Sequence, residues 1–247
     1  MAIRVIFFDF GYVLATPTPG LDPRYLYLDW DGMARIAVDP LLAPYLRPGV
    51  GPAELSGVFE RDYFQRFISL ENGGLIVPRS SEILRGLLPK IFSHALNGDQ
   101  YERLLSHIDT MKYMRIDPAA GKVLRALTNL NFKLGIISNM MLPGALLERL
   151  LQSEGLRGLF GPVIVSSETG YLKPHPRIFE YALDAGGWKP EEALFVGDTY
   201  KQDVVGARSV GMRVIWLNSR NEPTTQAGQN PPDAIIHSLE ELLEADL

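Results

Sequence analysis

Short apolar runs that end abruptly in polar residues set the rhythm of the chain. Val5-Ile6-Phe7-Phe8 leads into Asp9, Leu134-Gly135-Ile136-Ile137 into Ser138-Asn139, Val163-Ile164-Val165 into Ser166-Ser167, and Ala193-Leu194-Phe195-Val196 into Gly197-Asp198. Val214-Ile215-Trp216-Leu217 and Ala234-Ile235-Ile236 complete the set. Continuous β-branched and aromatic runs suit strands covered on both faces, whereas a half-solvated strand would alternate. Between them, Gly121–Leu130, Leu142–Leu151, Pro174–Ala185 and Tyr200–Val210 repeat at helical period. The alternation predicts an α/β fold with a doubly wound parallel sheet.

The interval from Pro17 to Asp117 breaks this rhythm. Helical spacing recurs in Leu55–Phe67, Ile83–Phe92 and Tyr101–Ile108, separated by the turn signals Arg47-Pro48-Gly49, Asn72-Gly73-Gly74 and Asn97-Gly98. A helical domain covering 17–116, inserted after the first strand, is expected between the two parts of a core, 1–16 and 117–247. Asp117-Pro118 is read as the N-cap and first turn of the returning helix.

Composition narrows the function classes. The 247 residues are 46% hydrophobic with a formal charge of −5, enough apolar content for a packed core and the wrong sign for a general nucleic-acid binder. There is no Cys, which excludes disulfides, thiolate metal sites and a cysteine nucleophile. No apolar stretch approaches the roughly 18 residues of a membrane span, so a soluble, cytoplasmic chain is expected.

Ligands of open parallel sheets bind beyond the carboxyl ends of the strands. Those ends carry Asp9, Ser138, Asn139 and Asp198, with Lys173 and Asp203 close behind. Acids converging from different strands suit a hard cation such as Mg²⁺. Taken singly, each residue has an ordinary role: an N-cap, a strand-end hydroxyl, a solvated loop cation or a helix-surface acid. His175, between two prolines, is read as a loop-shaping or capping residue, and His94, His107 and His237 as packing or surface positions.

Four motifs in order resemble the haloacid dehalogenase-like hydrolases. They are Phe7-Phe8-Asp9-Phe10-Gly11-Tyr12-Val13-Leu14, Gly135-Ile136-Ile137-Ser138-Asn139, Lys173-Pro174-His175-Pro176 and Phe195-Val196-Gly197-Asp198-Thr199 with Asp203. The resemblance implies a hydrolase, most simply a phosphatase acting on a small phosphorylated metabolite through an aspartyl-phosphate on Asp9. It implies catalytic roles for Asp9, Ser138, Asn139 (through its backbone N–H) and Lys173. It further implies Mg²⁺ held by Asp9, Asp198, Asp203 and the carbonyl oxygen of Gly11, and a type-1 cap in the insertion.

Phosphatases of this family usually carry a second Asp two residues after the nucleophile, as general acid and base. Here that position is Gly11. A 2-haloacid dehalogenase and a non-catalytic binding scaffold therefore stand as alternatives, and the Asp198/Asp203 pair favours the phosphatase. Asp22, Asp29 and Asp31 are candidate replacement acids. Arg24, Arg47, Arg61 and Arg66 are candidate anion contacts. Among the aromatic residues Tyr25, Tyr27, Trp30, Phe59, Tyr63, Phe64 and Phe67, most are expected in the core and some at the substrate.

Overall fold

A computed structural model describes residues 2–65, 74–223 and 231–245. Phe67, Arg66 and the Asn72-Gly73 turn lie outside the described residues.

Among these residues the strands are β1 (Val5–Phe8), β2 (Ala15–Pro17), β3 (Met114–Ile116), β4 (Lys133–Ser138), β5 (Phe160–Val165), β6 (Ala193–Gly197), β7 (Arg213–Leu217) and β8 (Ala234–Ile236). Six form one parallel sheet in the order β5-β4-β1-β6-β7-β8. The chain builds outward from β1 to β4 and β5, then returns to β6, β7 and β8 on the other side. The carboxyl ends of β1, β4 and β6 therefore flank the point where the winding reverses.

Alternate residues of the strands enter two separate apolar clusters, one on each face. Val5 and Phe7 pack with Ile137, Phe195, Val214 and Trp216, whereas Ile6 and Phe8 pack with Ile136, Val196 and Ile215. This is the physical reason that the runs are continuous: neither face meets water. Leu55, Phe59, Leu84, Leu104 and Ile108, all from the 17–116 segment, share the Ile6/Phe8 cluster.

The helices of the 17–116 segment include Trp30–Ile36, Pro52–Phe59, Ser80–Ile91 and Gly98–Ile108. Asn97 and Gln100 bond each other's backbone N–H, which starts the last of these. The expected Leu55–Phe67 helix changes winding: after Phe59 a π-helical turn runs from Glu60 to Phe64. Two short strands were not foreseen. β2 and β3 pair antiparallel, Ala15 with Ile116 and Pro17 with Met114, at the two ends of the segment. Three-residue strands are too short to carry a period.

Asp117 does not cap its helix directly. Its side chain accepts from Ala119 N–H at 2.7 Å, forming a turn ahead of a helix that begins at Ala120. His175 does cap: its Nδ1 accepts from Arg177 N–H at the start of helix Pro176–Gly186. Among the described residues no helix is long and apolar enough to cross a membrane.

Candidate active site

Asp9 follows β1, Ser138 closes β4 with Asn139 behind it, and Asp198 follows β6. The backbone N–H of Asp9 bonds the Val196 carbonyl, so the β1–β6 ladder itself brings Asp9 beside Asp198. Carboxylate oxygens of Asp9, Asp198 and Asp203 lie within 4.8 Å of one another.

Lys173 enters from the segment between β5 and β6 and is fully buried. Its Nζ lies 2.9 Å from Asp9 Oδ1 and 2.8 Å from Asp203 Oδ1. Burial works against the ammonium, but the fields of Asp203 and Asp9 outweigh it and hold the lysine above its ordinary pKa. Phe10 N–H also donates to Asp9 Oδ1 at 2.7 Å. Among the described residues both contacts of this carboxylate fall on Oδ1, which leaves Oδ2 for chemistry.

Asn139 does more than lend a backbone N–H. Its Oδ1 accepts from Lys173 N–H at 2.8 Å, while its Nδ2 donates to the Lys173 carbonyl and to Gln202 Oε1. The amide thus clamps the lysine backbone from both sides. Sequence reading missed this, because a side chain that bonds a distant loop leaves no local pattern.

Asp203 sits on the π-helical turn Tyr200–Val204, where a single regular helix over Tyr200–Val210 was expected. The widened turn lets its carboxylate reach back. Oδ2 accepts from Thr199 N–H at 2.9 Å, and Oδ1 accepts from Lys173. Gly197 makes this possible, since a Cβ there would overlap the Asp203 side chain. With both oxygens engaged, Asp203 anchors the lysine.

Asp198 is different. Its Oδ2 is buried without a hydrogen-bond partner among the described residues, although Arg220 approaches it as an ion pair at 2.8 Å without hydrogen-bond alignment. Burial, with Asp9 and Asp203 adding like charge, pushes its pKa up to about 7. A buried carboxylate oxygen without an aligned hydrogen bond, beside a second carboxylate, is a donor set that suits a hard divalent cation such as Mg²⁺. Arg220 was absent from the sequence reading, although it follows the end of β7 by three residues and so lies at the same sheet edge. Its guanidinium sits 5.2 Å from the Tyr12 ring centroid.

A cavity of about 290 Å³ opens on this edge, with Asp9, Gly11, Ser138 and Asp198 in its wall. Tyr12, rather than Gly11, takes the left-handed backbone conformation, at φ 58°. Gly11 has an ordinary φ, and a Cβ added there meets nothing within 4 Å.

The candidate replacement acids are elsewhere. Asp29 is buried and bonded to Gly32 N–H, Arg35, Lys112 and Tyr113, and Asp22 pairs with Arg24. Neither they nor Asp31 line the cavity, and nor do Arg24, Arg47 and Arg61. Arg61 pairs with Glu54, and Arg47 donates to the Pro89 carbonyl. Of the aromatic set Tyr27 lines the cavity, whereas Phe59 and Tyr63 are buried in the core. The Tyr63 hydroxyl donates to the Met141 carbonyl at 2.8 Å, tying the helical segment to the loop after β4.

The family model for haloacid dehalogenase-like hydrolases matches residues 54–211. The chain belongs to this family. Over 111 residues it is 41% identical to a glyceraldehyde 3-phosphate phosphatase of Pyrococcus abyssi, covering 45% of this chain and 46% of that protein. Over 129 residues it is 36% identical to a pyrimidine 5′-nucleotidase of Escherichia coli, covering 51% and 56%. The chain thus spans about half the length of these relatives. Two solved structures share its fold over almost the whole chain. One is a phosphatase of the same family from Thermococcus onnurineus, at TM-score 0.60 and 24% identity over 98% of this chain and 97% of that one. The other is a 2-haloacid dehalogenase from Pseudomonas syringae, at TM-score 0.61 and 23% identity over 98% and 97%.

Proposed function

We propose that this hydrolase is a Mg²⁺-dependent phosphatase of small phosphate monoesters with Asp9 as nucleophile. The observation that carries the reading is the Lys173 ammonium, buried and held between Asp203 and Asp9, the second of which lines the cavity. A compact charge fixed there quiets repulsion between a phosphate dianion and the attacking carboxylate. Asp9 Oδ2 attacks phosphorus. The ester P–O bond breaks with its electron pair on the leaving oxygen, and an aspartyl-phosphate forms. Water then attacks phosphorus, releasing inorganic phosphate and the free Asp9 carboxylate. The Ser138 hydroxyl and the Asn139 backbone N–H are the donors proposed for the phosphoryl oxygens.

Asp9, Asp198 and the Gly11 carbonyl would hold Mg²⁺, with Asp203, both of whose oxygens are engaged, contributing through water. When bound, the ion neutralises charge on the phosphoryl group. The 17–116 segment would serve as the cap that excludes water from the cavity, in a protein placed in the cytoplasm.

The dehalogenase alternative has less support. A 2-haloacid brings a carboxylate, and among the described residues no Arg, Lys or His lines the cavity. The test is p-nitrophenyl phosphate hydrolysis with Mg²⁺ and with excess chelator, alongside 2-chloropropionate. Hydrolysis that disappears on chelation is expected. Full activity in chelator, or dehalogenation without phosphate release, would overturn the reading.

A further inference from the structure

Among the described residues, Asp9 and Asp198 are the only charged side chains that line the cavity. Met111, Met114, Met140 and Met141 surround it, with Leu26 and Tyr27 beside them. The Asn139 amide is already used, since it bonds Lys173 and the Gln202 Oε1. A ligand entering here leaves water for thioether and aromatic surface, and Met side chains adapt to flat or irregular apolar shapes. A carboxylate or second phosphate on the substrate would be desolvated beside two acids. The nearest cations are already paired, Lys173 with Asp9 and Asp203 and Arg220 with Asp198 and Glu222.

A second observation is independent of the first. The only acids lining the cavity among the described residues are Asp9 and Asp198, and no imidazole or Glu does so. Gly11 supplies no proton, and Asp22, Asp29 and Asp31 are elsewhere. With Asp9 as the nucleophile and Asp198 taken up by Mg²⁺ on the phosphatase reading, no lining carboxyl is left to donate a proton. The leaving oxygen departs as its anion and takes its proton from water. Only a leaving group of low pKa does that easily.

On the reading of the site as a phosphatase, we infer that its substrates are aryl phosphate monoesters: flat, apolar alcohols of low pKa, with no second charge. The apolar wall sets binding, and the missing proton donor sets the rate. The two halves separate in kinetics. Phenyl phosphate and butyl phosphate should share similar KM, while kcat on the butyl ester is about 10²-fold lower or less still. O-phosphoserine and 3-phosphoglycerate, which carry carboxylates, should show much higher KM than either. Placing a cation in the wall, Met114→Arg, should lower KM for the two carboxylate esters and raise it for phenyl phosphate.

The experiment is a steady-state comparison of these four esters with Mg²⁺, for the wild type and Met114→Arg. Melting temperatures with phenylphosphonate and phosphonoacetate, which cannot be hydrolysed, accompany it. Highest kcat/KM on a carboxylate ester, or equal kcat on butyl and phenyl phosphate with chemistry limiting, would overturn the inference. If no ester turns over, the phosphatase reading falls instead. Preferential stabilisation by phenylphosphonate would then uphold the selectivity of the cavity for aryl ligands, and preferential stabilisation by phosphonoacetate would end that too.

Discussion

The Lys173 ammonium lies 2.8 Å from the Asp203 carboxylate, and neither side chain has any exposed surface. Removing one member of a buried pair leaves a charge without compensation, at a cost of about 3–5 kcal/mol. Asp203→Ala should lose stability on that scale in urea denaturation, and Lys173→Met/Asp203→Leu should recover much of it. A single variant that lost under about 1 kcal/mol would mean that Asp9 alone satisfies the lysine.

Asp9→Asn keeps the shape of the side chain and removes the nucleophile. Phosphatase activity should fall to background while the circular dichroism spectrum stays close to wild type. A substantial residual rate in protein free of contaminating phosphatase would remove Asp9 from that role.

Gly11→Asp is a gain-of-function test that the backbone permits, given the ordinary φ and the open space around that position. General acid assistance is worth about 10²–10⁴-fold, and it helps poor leaving groups most. The variant should raise kcat on alkyl phosphates far more than on p-nitrophenyl phosphate, which a leaving-group series would read directly.

Asp198 gives a pH dependence whose sign is fixed by its raised pKa of about 7. As pH rises from the ordinary carboxylate range toward 7, the folded state holds this proton more tightly than the unfolded chain, so its contribution to stability falls. Above that pH the ionised group carries an electrostatic cost that a cation relieves. Mg²⁺ should therefore raise the melting temperature more at pH 8 than at pH 6, as measured by calorimetry. Equal shifts at both values would detach Asp198 from the metal.

A second titration lies far from the site. Burial raises the Asp39 carboxyl, but bonds from His107, Arg103 and Leu41 N–H outweigh it and hold the pKa at about 2. A depressed pKa stabilises the fold above the unfolded value and is lost as pH falls through the folded one. Stability should decline between about pH 4 and pH 2, and Asp39→Asn should flatten that limb in acid denaturation.

The strands were legible because two-sided burial writes uninterrupted apolar runs, and Asp9, Ser138 and Asp198 were legible because each stands where a run stops. The motif order also pointed to Lys173 and Asp203. What escaped depends on contacts between distant segments. The β2–β3 ribbon is too short for a period, and the Asn139 clamp closes only when the β4 end meets the loop before helix Pro176–Gly186. The Asp39–His107 bond joins residues 68 positions apart, so His107, read as packing or surface, is in fact one of two side chains that satisfy a buried acid.

Gly197 leaves the space into which the Asp203 side chain folds back. That makes two positions of the chain a single unit of inheritance. A library that randomises residue 197 should return glycine alone among active clones, however gently the other site is treated. Alanine at 197 should be rescued only by variants that also withdraw the acid at 203, and these would release Lys173. Stepwise substitution is thus closed at that corner, and variation in ligand preference must come from the walls of the cavity.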